Sequence, residues 1–177
     1  MMKTFFDNLA VHEWAIVPVT KLTFSQQMLE YCKANACGNY NKSWTCPPAC
    51  GSIEEQKKKI LSYKEALVFT SKYNIEDSFD YEGMEKGRQQ HTLLTLDVSN
   101  KLLRKIDDIL VYSAGQCPVC TKCMFPDSCA FPKKRIGSIE AAGIDAAELS
   151  KVCNIAYNNG NNTVTFFSII VSSALTL

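Results

Sequence analysis

The residues able to do chemistry in this chain are its cysteines. Cys117, Cys120, Cys123 and Cys129 put four sulfurs into thirteen residues, three of them at strict two-residue spacing. A Cys-x2-Cys-x2-Cys run wraps a short loop so that successive thiolates converge on one centre, as bacterial-type ferredoxins hold three corners of a 4Fe-4S cube. Tetrahedral zinc is more often held by two separate pairs of ligands, so the tight triple favours iron and sulfide and leaves zinc as the alternative.

A second, looser group lies upstream: Cys32, Cys37, Cys46 and Cys50. Eight thiolates suffice for two clusters, and the predicted cofactor is therefore one or two 4Fe-4S clusters. In two-cluster ferredoxins the fourth cysteine of a run serves the other cluster, so the allegiance of Cys129 stays open. Pro47 and Pro118 follow Cys46 and Cys117 directly, withholding one N–H and stiffening the loop around each ligand. Trp44, two residues before Cys46, is a candidate to shield a centre from water, or else an aromatic anchor for its own loop. Cys153 reads as a small buried hydrophobe on a helix face. His12 and His91 are the only histidines, which gives histidine-based acid–base chemistry little foothold; His91 is expected on the polar face of a helix.

These residues need a frame. Residues 14–19 have strand composition, and Pro18 confines that strand to an edge. Thr23 and Gln26 predict a capping box for a helix reaching the Gly38-Asn39 break, which places Cys32 near a helix end. Residues 37–51 read as an irregular loop. Ser52 and Glu55 predict a second capping box, residues 66–71 a buried strand, and residues 80–110 the longest helical region. Its apolar stripe runs through Leu94, Val98, Leu102, Leu103, Ile106, Ile109 and Leu110. Residues 138–142 suggest a turn of helix, Asp145 with Glu148 opens another, and residues 163–171 form the last strand. The fold class expected is α+β: a single domain with a small mixed or antiparallel sheet flanked by helices, carrying two cysteine-rich metal-binding loops.

Composition narrows the partners. With 177 residues and a net charge of +1, the chain offers no basic face for nucleic acid. Nine cysteines without a recognisable secretory leader in residues 1–10 suit a reducing, cytoplasmic setting. The apolar stretch 164–177 is shorter than the about 20 residues of a spanning helix, so it reads as a buried strand and no membrane partner is expected. A homodimer through pairing of that terminal strand remains open. Lys133, Lys134 and Arg135 make a small basic patch for an acidic redox partner protein, or simply a solvated face. No phosphate loop and no serine-nucleophile elbow is present. Three functions are thus in play: an electron carrier, a structural zinc protein that acts by interaction, and a cluster-dependent enzyme acting on a small molecule.

The motif Gly38-Asn-Tyr-Asn-Lys-Ser-Trp-Thr-Cys-Pro-Pro48, the downstream cysteine triple, Cys129-Ala-Phe-Pro132 and Ser138-Ile-Glu-Ala-Ala-Gly-Ile-Asp145 together resemble one family of predicted metal-binding proteins, catalogued as domain of unknown function 2284. The resemblance runs from about Cys32 to the last strand. It implies a small cytoplasmic protein of a kind frequent in anaerobes, with Cys37, Cys46, Cys117, Cys120, Cys123 and Cys129 as ligands and Cys32 as first member of the upstream pair. Cys50 falls outside the family pattern. Where relatives carry Pro-Ser-Met-Glu, this chain has Gly137-Ser-Ile-Glu140, which retains Ser138 and Glu140. Glu140 is thereby a candidate to touch a centre or a substrate, its other reading being an acid at a helix N-terminus.

Overall fold

The computed structural model describes residues 5–175; residues 1–4 and 176–177, the outer ends of the N-terminal segment and of the apolar C-terminal stretch, lie outside them. In chain order the elements are β1 (Trp14–Pro18), α1 (Gln27–Ala34), α2 (Ile53–Leu61), β2 (Glu65–Asn74), α3 (Tyr81–Leu103), β3 (Leu110–Ser113), β4 (Ile136–Ser138), α4 (Ala146–Cys153) and β5 (Thr163–Ser172). The strands form one mixed sheet in the order β1-β2-β5-β3-β4. Only β3 and β4 run parallel; the other pairs are antiparallel, with Val68 opposite Ile169 and Tyr112 opposite Ile169 from the other side. The architecture is α+β, as composition and periodicity predict.

Both faces of the sheet are covered, which is why β2 and β5 read as continuous apolar runs. Side chains alternate along each strand. Ala66, Val68, Ile169 and Val171 face α2 and α4 and pack with Ile60, Leu149 and Cys153. Leu67, Phe69 and Ile170 face α3 and meet Leu94, Val98 and Leu102. Cys153 is thus a core residue, as its helix-face position predicts.

Local signals fix the starts of two helices. The Ser52 side chain accepts from the Glu55 N–H while the Glu55 carboxylate accepts from the Ser52 N–H, the reciprocal capping box the sequence predicts. Asp145 caps α4 by accepting from the Ala147 N–H at 2.7 Å. The box expected at Thr23 and Gln26 does not form. Instead α1 starts at Gln27, whose N–H donates to the Ser25 hydroxyl, and it stops at Asn35, whose left-handed φ of 55° ends the helix before Gly38.

Three expectations are corrected. The long helix ends at Leu103, not near Leu110: residues 110–113 gain ladder hydrogen bonds to β5 as an extended apolar strand, and Ile109 lies in the connection. Residues 136–138, an Ile-Gly-Ser segment too short to signal a strand, form β4, and the expected turn of helix is a single turn, closed by the Ala142 N–H on the Ser138 carbonyl at 3.1 Å, that does not extend into a helix. His91 is fully buried, not on a polar face. Its Nδ1 lies 2.7 Å from the Ser71 hydroxyl and its Nε2 2.8 Å from the Ser168 hydroxyl, and Ser168 also bonds Thr95 and Ser113. Burial pulls the imidazole down to about 4 against a slight upward pull from the Phe167 backbone, so the ring is neutral at neutral pH.

β5 is the central strand, paired on both edges by β2 and β3. Residues 168–171 are paired on both edges, while residues 163–167 are paired by β2 alone. Among the described residues no helix is long and apolar enough to cross a membrane.

Candidate metal centre

The downstream cysteines sit between β3 and β4 in a stretch without helix or strand apart from one short 3-10 turn at Pro132–Lys134. Along it the chain alternates in a telling way: Cys117, Cys120, Cys123 and Cys129 are half-buried, while Thr121, Lys122, Met124, Asp127 and Ser128 face solvent. All four sulfur-bearing residues line one small cavity. Cys120 and Cys129 both lie close enough to Cys117 to disfavour its ionisation. Cys129 thus sits with its own run.

Part of that cavity's wall comes from far away in sequence. Ser43, Trp44 and Thr45 of the upstream loop line it as well. The Trp44 indole N–H donates to the Asp127 carbonyl at 2.7 Å, and its ring meets Phe125 edge-on with centroids 5.2 Å apart. Trp44 therefore packs on the downstream cysteine loop, although it stands two residues from Cys46 in the chain.

The upstream cysteines lie near one another but open onto two cavities. Cys32, from the last turn of α1, and Cys37 and Cys46, from the loop after it, open onto a second cavity of about 490 Å³. Cys50 lines a different cavity of about 340 Å³, between α2 and the β3–β4 edge, and its thiol donates to the Gly51 carbonyl. Glu140 lies on the larger cavity with Cys32, Cys37 and Cys46, and it accepts a hydrogen bond from the Ser138 hydroxyl at 2.5 Å.

Electrostatics separates the sites. Burial pushes the Cys32 thiol up to about 11, with the Glu140 carboxylate and the Cys37 and Cys50 sulfurs adding to it. Burial also takes Cys46 up to about 11, assisted by its cysteine neighbours and opposed by the Ser43 hydroxyl. Cys123 behaves differently. Burial is the largest single influence and pushes it up, but the backbone N–H groups of Trp44 and Phe125, with the Ser43 hydroxyl, together outweigh it and hold the thiol below its ordinary range. Cys117 is raised by burial, yet its sulfur accepts from the Ile136 N–H at 3.5 Å. Donors aimed at sulfur are what an anionic thiolate centre requires. Ser43, only 2 % exposed, acts on sulfurs of both groups and forms the partition between them.

The donor set fits a thiophilic metal group. Soft thiolates select zinc, copper(I) and iron–sulfur clusters, and all nine cysteines are free. Among the described residues no three His, Cys, Asp or Glu side chains already converge tightly enough to hold a single ion. The downstream thiols share a cavity without converging on a single centre among the described residues. Cys117, Cys120, Cys123 and Cys129 would hold the downstream group; Cys32, Cys37 and Cys46 are the upstream candidates.

Three contributors escape a reading of the sequence. Ser43 has no motif of its own. Arg88 lies mid-helix with only its Glu85 neighbour as a signal, yet it reaches the upstream cavity. Gly115 looks like a simple turn residue; a Cβ there would stand 2.6 Å from Arg88 Nη1. No curated protein and no solved structure shows significant similarity to the chain. One family model matches residues 15–171, nearly the whole sheet and both cysteine loops, and its description is "predicted metal-binding protein". The chain belongs to that family, domain of unknown function 2284.

Proposed function

We propose that this metal-binding protein is a cytoplasmic iron–sulfur protein, holding one or two 4Fe-4S clusters and passing single electrons to a partner protein. The observation that carries this reading is the downstream loop, in which four cysteines turn into one cavity and backbone N–H groups point at two of the sulfurs. A cluster supplies one-electron redox chemistry at a potential set by thiolate charge, N–H donors and solvent exposure. The chain's own part is to supply the thiolates, to exclude water with Trp44 and Phe125, and to leave an approach for a partner.

That approach lies at the rim of the same cavity. Met124 and Phe131 line it while remaining 51 % and 47 % exposed. Exposed Lys122, Lys133 and Lys134 belong to the same loop. An apolar contact with a basic border suits a partner with an acidic border around its own redox centre. The free thiols fit a reducing compartment.

Purification under nitrogen with iron, acid-labile sulfide and zinc quantified per chain tests the reading. Near-equal iron and sulfide, with broad visible absorption that bleaches on reduction, is the expected result. Stoichiometric zinc in a colourless protein replaces it with the competing reading, in which zinc staples the two loops and contributes folding free energy.

A further inference from the structure

The upstream cavity holds more than thiols. At about 490 Å³ it falls within the roughly 300–1,000 Å³ of small-molecule sites. Five aromatic residues, Tyr31, Tyr40, Tyr157, Phe166 and Phe167, line it beside aliphatic and polar ones, and its surface is mostly apolar. Such a lining favours a ligand with a sizeable apolar body and few charges.

One cation faces it. Arg88 Nε and Nη2 fork onto the Glu85 carboxylate at 2.7 and 2.6 Å, and Nη1 has no hydrogen-bond acceptor among the described residues. Nη1 lies against Gly115, where any Cβ would intrude to 2.6 Å, so glycine there leaves the space that the guanidinium occupies. Both residues line the cavity. A guanidinium edge left free beside an apolar wall matches a carboxylate in charge and in planar geometry.

We propose that this cavity binds a small carboxylic acid with an aromatic or branched apolar body, the carboxylate on Arg88 and the body against the stacked Tyr157 and Phe167 side of the wall. Cys32, Cys37 and Cys46 lie on the same cavity, so the bound acid is adjacent to whatever those thiols hold. Among the described residues Glu140 is the one carboxylate lining the cavity, and it disfavours a second anionic group. The site stands on Arg88 and the aromatic walls, whichever metal the cysteines take, so its failure and the failure of the iron–sulfur reading are separate results.

The test is calorimetric titration of the protein as purified under nitrogen, with metal content measured on the same sample. The probes are phenylacetate and 4-methylpentanoate, each against its neutral amide. Each acid is expected to bind at least tenfold more tightly than its amide, and Arg88→Gln to abolish that preference. Glu85→Gln, which removes the carboxylate sharing the guanidinium, is expected to tighten acid binding severalfold and keeps the test decisive where Arg88→Gln does not fold. Equal affinity for acid and amide, no binding of any probe, or acid binding that survives Arg88→Gln or fails to tighten in Glu85→Gln overturns the proposal.

Discussion

Trp44 and Asp127 are joined by an indole N–H donating to a main-chain carbonyl at 2.7 Å, across 83 residues of sequence. That bond makes one unit of two cysteine loops that the chain presents separately. Trp44→Phe keeps a ring to meet Phe125 and removes only the donor. The variant is expected to lose about 1 kcal/mol of stability, measured by urea unfolding, and to release its metal faster to a chelator. Wild-type release kinetics in Trp44→Phe would show that the two loops are not coupled through this bond.

Cysteine substitutions should sort by cavity. Cys117→Ser, Cys120→Ser, Cys123→Ser and Cys129→Ser are each expected to lower metal content at the downstream centre. Cys153→Ala, in the core between α4 and the sheet, should leave it at the wild-type value. Cys50→Ser is expected to behave like Cys153→Ala, because Cys50 lines a different cavity from Cys32, Cys37 and Cys46. Metal analysis of the set decides the matter, and a strong loss in Cys50→Ser would place that sulfur in the upstream ligand set.

His91 predicts acid sensitivity of the fold. Its imidazole titrates near 4 when folded, against 6.5 ordinarily, because burial penalises the cation. Between those values the unfolded chain binds the additional proton, so the His91 contribution is fully present above pH 6.5 and is lost as pH falls toward 4. The linked change is about 3 kcal/mol. Denaturation midpoints across pH 4–7 should show this slope in the wild type and a flatter one in His91→Gln, and identical slopes would remove His91 as the cause.

Gly137 stands opposite Tyr112 in the parallel β3–β4 pair. A Cβ at that position would come within 2.6 Å of the Tyr112 ring. Gly137→Ala is therefore expected to cost roughly 1–3 kcal/mol through displacement of that ring. Thermal unfolding measures it, and a neutral effect would mean that Tyr112 moves aside freely.

Much of the frame was legible because its signals are local. The Ser52–Glu55 box, the Asp145 cap and the apolar runs of β2 and β5 depend on neighbours two or three residues away, or on periodicity within one element. The misreadings have a common physical origin in tertiary context. Residues 110–113 continue a helical stripe by pattern, but pairing with β5 makes them a strand. His91 looks polar in sequence, yet hydroxyls from β2 and β5 make a buried place for it.

By itself the sequence determined that there would be a thiol-rich site, since spacing alone brings Cys117, Cys120 and Cys123 round one short loop. It also determined the α+β class. Only the tertiary structure decided which sulfurs share a cavity and what else lines it. Cys129 stays with its own run, Cys50 opens onto a different cavity although its sulfur lies near Cys32 and Cys46, and Trp44 crosses from one loop to the other. The reason is that hydrogen bonds such as Trp44 to Asp127, and a glycine that makes room for Arg88, join residues whose separation along the chain carries no periodic trace.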